Sequence, residues 1–150
     1  MTEILFYQLQ NRPLEQVLPS LLEKSLERGW RVVVQATSDE RIEALDAHLW
    51  TYREDSFLPH GAAHQAEASA QPILLTASSD NPNGANIRFL IDRAPIPQDV
   101  SAYQRIVLIF DGDDADALAF ARERWRDVKD AGIEATYWQA DENGRWQQKG

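Results

Sequence analysis

Cysteine is absent from this chain, which excludes disulfides and any Cys-based zinc site and is compatible with a reducing compartment. Long apolar runs are missing too. Nowhere do about 18 consecutive apolar residues occur, and the amino terminus MTEILFYQL has no basic region before its short apolar stretch, so neither a membrane span nor a signal peptide is expected. The seven glycines never fall into G-x-G-x-x-G or G-x-x-x-x-G-K-[ST], which removes the usual backbone cradle for a phosphate. Basic residues are scarce: 15 Lys and Arg stand against 24 Asp and Glu, a formal charge of -9. Most of the surface therefore repels nucleic acid, and little direct binding to it is expected. A soluble, cytoplasmic protein without a cofactor or membrane contact is the resulting expectation.

What is present fits a globular protein. The 150 residues, 43% of them hydrophobic, suffice for one domain over 1–150 with a substantial core. Ile4 to Leu9 reads as a strand. Pro13 stands near a helix start, and Leu14, Val17, Leu18, Leu21, Leu22 and Leu26 repeat at helical spacing before Gly29. RVVVQ at 31–35 reads as a strand covered on both faces. Thr37, Ser38 and Asp39 are capping candidates for a second helix through Ile42, Leu45 and Leu49, ending near Trp50.

Residues 51–71 carry Pro59, Gly61 and an alanine-rich stretch, and are expected to form a long irregular segment. Further strands are predicted at 72–76, 87–91, 105–110 and 134–139, with a helix over about 113–130. Asn143-Gly144 before RWQQK suggests a terminal hairpin. Alternating strands and helices predict an α/β fold: a three-layer, Rossmann-like sandwich around a mostly parallel sheet, lacking a phosphate-binding loop.

The run LAFARERWRDVK at 118–129 inverts the overall charge, with four of the 15 basic residues gathered around a tryptophan. At about 100° per residue, Leu118, Arg122, Trp125, Arg126 and Lys129 share one sector, and Ala117, Phe120, Ala121, Val128 and Ala131 form a separate apolar stripe. One stripe can dock on a core. The other offers an indole rimmed by cations, suited to an acidic ligand with an apolar group. Arg122 and Arg126, four apart, repel each other in an isolated helix, so folding alone does not require them. The competing reading has Trp125 as ordinary packing, Arg126 paired with Asp130 and Arg124 snorkelling over the core edge.

Catalytic chemistry is harder to find. DGDDAD at 111–116 could offer oxygen ligands to Mg²⁺, but acidic residues at a helix start cap free amides and favour the macrodipole. His60 and His64 would need further ligands to hold zinc. An enzyme or small-ligand domain using the carboxyl edge of the sheet, with Asp111, Asp113 and the histidine-bearing loop as polar groups, is the alternative to a binding module.

Taken together, FYQL at 6–9, LDAHLW ending at Trp50, SFLPHG at 56–61, PILLT at 72–76, FDG at 110–112 and ARERWRDVKDAG at 121–132 resemble the chi subunit family of bacterial DNA polymerase III, in order and across nearly the whole chain. The resemblance implies a non-catalytic accessory subunit of the clamp-loader assembly. Its implied partner is the acidic, aromatic-ended carboxyl-terminal tail of single-stranded DNA-binding protein, and in some bacteria the psi subunit as well. Arg122, Trp125, Arg126 and Lys129 match the family's tail-binding positions, and Trp50 matches another aromatic of that site. Leu118 stands where the family can carry a basic residue. Phe57, Leu58, Pro59 and His60 match the region associated with psi contact; anchoring of the loop itself is the competing reading there.

Overall fold

The computed structural model describes residues 2–10, 12–51, 60–62, 71–141 and 145–150, with the side chains at 50, 51 and 60–62 outside that description. Its elements are β1 (Glu3–Leu9), α1 (Leu14–Glu27), β2 (Val32–Gln35), α2 (Asp39–Thr51), β3 (His60–Ala62), β4 (Ile73–Thr76), β5 (Ile87–Leu90), β6 (Arg105–Asp111), α3 (Ala115–Asp130), β7 (Glu134–Ala140) and β8 (Trp146–Gln148). They form one sheet in the order β3-β4-β2-β5-β6-β1-β7-β8. Every neighbouring pair is parallel except the β7–β8 hairpin, whose turn at 142–144 lies outside the described residues.

Alternation along the strands builds two cores. Leu5 and Leu9 of β1 join Val32, Val34, Val107 and Ile109 on the face covered by α1 and α2. Ile4 and Phe6 join Ile106, Leu108 and Phe110 on the opposite face, covered by α3 and the connections around Ala85, Ala94 and Tyr103. The three-layer α/β sandwich expected from the sequence is therefore observed. β3 corrects the expectation of an irregular 51–71 segment: three residues of it, His60–Ala62, pair with β4. β4 is buried along its whole length and uses this short strand as its outer hydrogen-bonding partner. A stretch as short as HGA carries no periodic signal of its own.

Local chemistry sets the helix ends. Gly29 and Gly132, with φ of +79° and +75°, end α1 and α3 in the left-handed conformation that glycine adopts without strain. Pro19 lies inside α1 and cannot donate to the Glu15 carbonyl one turn earlier. His48 of α2 satisfies that carbonyl instead, through Nε2 at 2.8 Å. Arg41 strengthens the junction by donating to Glu15 at 2.7 Å and to Asp92 at 2.8 Å, which ties α1, α2 and the turn after β5 together.

Candidate binding face on the third helix

α3 begins where Asp114 accepts hydrogen bonds from the amides of Asp116 at 2.9 Å and Ala117 at 3.2 Å. The aspartate run thus caps a helix, as its position suggested. Asp111 likewise accepts from the Asp113 amide at 2.9 Å. Among the described residues no group of three or more potential metal ligands is gathered; His64 lies outside them. Gly112 closes the preceding turn, where a Cβ would come within 2.6 Å of the Gln8 and Gln10 side chains.

Ala117, Ala121 and Val128 are the buried row of α3. Leu118 and Trp125 come next around the helix and are half-buried, whereas Arg122, Arg126 and Lys129 are exposed. The expectation of two separate stripes is corrected here: on the wheel Trp125 sits at the border of the buried row, so its indole packs against the core while part of it stays exposed. Its indole meets Phe6 edge-on at 5.3 Å and Tyr137 edge-on at 5.8 Å. Phe6 is fully buried, and the two strands carrying these rings, β1 and β7, lie side by side with Phe6 opposite Tyr137. The indole therefore has a fixed aromatic floor.

Charge surrounds it. The Lys129 ammonium stands 5.0 Å from the indole centroid, a favourable cation–π distance. Among the described residues neither Arg122 nor Arg126 forms an ion pair or hydrogen bond, so the expected competition from Asp130 for Arg126 does not occur. Arg124, by contrast, is engaged: it pairs with Asp127 at 3.0 Å and lies 5.0 Å over the Phe120 ring, on the other flank of the helix. Burial pushes the Tyr137 hydroxyl up in pKa, against the lowering influence of the Arg122 guanidinium. Tyr137 donates to Gln8, which fixes its ring.

Leu118, Arg122, Trp125, Arg126 and Lys129 are thus brought together. Trp50 is not placed with them by its backbone: α2 contacts α1, β3 and β4, and its buried residues join the core on the opposite face of the sheet from α3. Phe57, Leu58 and Pro59 lie outside the described residues, and His60 opens the edge strand β3. Sequence reasoning missed Phe6 and Tyr137 as the floor, along with the Gly150 backbone, where a Cβ would lie 3.6 Å from the indole. Strand alternation gives the facing of each ring, but only the β1–β7 register makes them neighbours.

Residues 1–136 match the family described as "DNA polymerase III chi subunit, HolC". A "Probable DNA polymerase III subunit chi" from Rickettsia prowazekii (strain Madrid E) is 27% identical over 117 residues, covering 74% of this chain and 71% of that protein. The chain belongs to the DNA polymerase III chi subunit family, an accessory subunit family of the replication machinery.

Proposed function

We propose that this chi-family chain is a non-catalytic interaction module. In this reading it holds the acidic carboxyl-terminal tail of single-stranded DNA-binding protein on α3 and links that protein to the clamp-loader and polymerase assembly in the cytoplasm. The observation that carries the reading is the set of three cations without a carboxylate partner among the described residues, Arg122, Arg126 and Lys129, beside the half-buried indole of Trp125. The cations attract carboxylates, and the exposed part of the indole with Leu118 contacts a terminal apolar side chain. Exposed ion pairs contribute only about 0.2–1 kcal/mol each, so apolar insertion supplies much of the remaining affinity. Micromolar binding, about -8 kcal/mol, is the expected range. Leu118 leaves this face one cation short of family members with a basic residue there, which trades charge attraction for apolar contact. The 57–60 segment belongs, in this proposal, to a separate contact with a psi-like partner, while Trp50 stands apart from the tail site because α2 packs on the other face of the sheet from α3.

Calorimetry with an acidic peptide ending in a free aromatic carboxylate tests the reading. Binding that weakens about tenfold when the terminus is amidated, and again in Arg126→Ala, supports it. Equal affinity in all three titrations rejects the α3 face.

A cleft of about 570 Å³ at the carboxyl ends of β1 and β6 favours the alternative, a small-ligand or enzymatic domain, because α1 leaves β1 toward one face and α3 leaves β6 toward the other. Its chemistry fits less well. Arg41 is already held by Glu15 and Asp92, and Asp111 and Asp114 line the same cleft, so it offers no net attraction for a phosphate. Thermal shifts with nucleotides and divalent cations in parallel with the peptide distinguish the two readings.

A further inference from the structure

Parallel sheets are normally covered on both faces. Here α1 packs over β2 and β6, and α2 over β3 and β4, which leaves the same face of β7 and β8, and of β1 around Tyr7, without a main covering helix among the described residues. That stretch is aromatic. Tyr7 stacks on Trp146 at 4.4 Å, Trp138 is half-buried on the same face, and Trp30 is half-buried at its margin. Three of the chain's five tryptophans therefore gather on one partly exposed surface, separate from Trp125 on the other side of the sheet. Half-buried large aromatics grouped in this way mark an interaction surface.

A groove of about 360 Å³ runs along it between α1 and the sheet, lined by Tyr7, Trp30 and Trp146 and by Lys24, Arg28 and Arg105. Arg28 and Arg105 lie 4.9 and 5.3 Å from the Trp30 ring. Arg105 is neutralised by Glu3 at 2.6 Å. Lys24 and Arg28 have no carboxylate partner among the described residues, whereas Glu27 is the one acidic residue in the lining. The groove is thus net cationic on a protein of formal charge -9. That charge balance argues against self-association, since it disfavours burying a cationic rim against its own copy, and it favours an acidic occupant.

We propose that this face docks an acidic amphipathic helix from a partner protein, laid along β1 and β7 where no helix among the described residues covers Tyr7, Trp138 and Trp146. Apolar residues on the docked helix contact Tyr7, Trp138 and Trp146, and its glutamates face Lys24 and Arg28. β1 and β7 have seven residues each, about 23 Å at roughly 3.3 Å per residue, which a helix of about 15 residues matches. This surface is independent of the α3 reading.

The test uses the full chain and a synthetic helical peptide of about 15 residues, with leucine and tryptophan at i, i+3, i+4 and i+7 and glutamate flanking that stripe. Expected is measurable binding by calorimetry at low salt that weakens about tenfold in Arg28→Glu and in Trp146→Gln, while Arg126→Ala leaves it unchanged. A peptide with lysine in place of glutamate is expected to bind about tenfold more weakly. Arg28 is exposed, so its variant keeps the test decisive if Trp146→Gln unfolds. Absence of binding, indifference to both the peptide's charge and Arg28→Glu, or loss of binding only in Arg126→Ala overturns the proposal. Sedimentation showing a dimer that Arg28→Glu disperses also overturns it, because a second copy is then the occupant.

Discussion

Lys129 holds its ammonium 5.0 Å from the centre of the Trp125 indole, a ring that is at the same time an edge of the core through Phe6. The tryptophan thus serves packing and exposure together, and its substitutions separate by size. Trp125→Ala removes the contacts with Phe6 and Tyr137 and is expected to cost about 2–3 kcal/mol in urea unfolding, below the range for a fully buried aromatic. Arg126→Ala, on the exposed rim, is expected to stay within about 0.5 kcal/mol of the parent protein. If both lower the affinity for the acidic peptide, Arg126→Ala does so without a folding contribution and is the cleaner measure of the face.

Binding on this face should fall with ionic strength, because Arg122, Arg126 and Lys129 are all exposed and screening acts over about 8 Å at physiological salt. Titrations at low and at roughly physiological salt are expected to differ several-fold, with Trp125→Phe keeping the same salt slope as the parent. A flat response removes the electrostatic half of the mechanism.

Much of the fold could be read from local pattern. The three valines of β2, the leucine repeat of α1 and the glycines after α1 and α3 each carry their own signal, and the cap at Asp114 follows from aspartate's preference for that position. The outer strand β3 could not be read this way, because it exists through β4's need for a ladder partner. Of the α3 face, the helical wheel gave the grouping of Leu118, Trp125 and the three cations. It could not give the half-burial of Trp125, which depends on Phe6 and Tyr137 arriving side by side from β1 and β7. The aromatic face under Trp146 was hidden for a related reason: a tryptophan in a hairpin strand shows neither which side of the sheet it takes nor whether a helix covers it.

Acid sensitivity should be concentrated in part at the α1–α2 junction. Burial alone would raise the Glu15 carboxyl, but the hydrogen bond and charge of Arg41 outweigh it and leave its pKa below the ordinary value of 4.5. A depressed folded value means that the contribution to stability is complete above the unfolded pKa. It is then lost as pH falls through the folded one. The Glu15 side chain is 36% exposed, so solvent screening keeps the effect small. Thermal unfolding between about pH 7 and pH 3 is expected to show a shallower acid limb in Glu15→Gln than in the parent, with the two curves converging at the lowest pH. Identical slopes show that the Arg41 contact contributes nothing to folding.

Arg88 tests a different balance, between desolvation and hydrogen bonding. Its side chain is fully buried in β5, and among the described residues its guanidinium forms no ion pair. It donates to Gln35 Oε1 at 2.9 and 2.5 Å, to the carbonyls of Ser78 and Asp80 at 2.6 and 3.0 Å, and to the Tyr103 hydroxyl at 2.9 Å. The cation is thereby solvated by neutral oxygens, and it pins the connection between β4 and β5 onto the sheet. Removing it leaves the buried Gln35 and Tyr103 oxygens without their donor, so Arg88→Met, which preserves most of the volume, is expected to destabilise the fold by about 2–4 kcal/mol in urea unfolding. Arg88→Lys keeps the charge but cannot reproduce the fork of five donors, and should fall between the two. If Arg88→Met proves as stable as the parent, the cost of burying the guanidinium cancels its five hydrogen bonds, and the arginine's value lies in fixing the path of residues 78–80 rather than in stability.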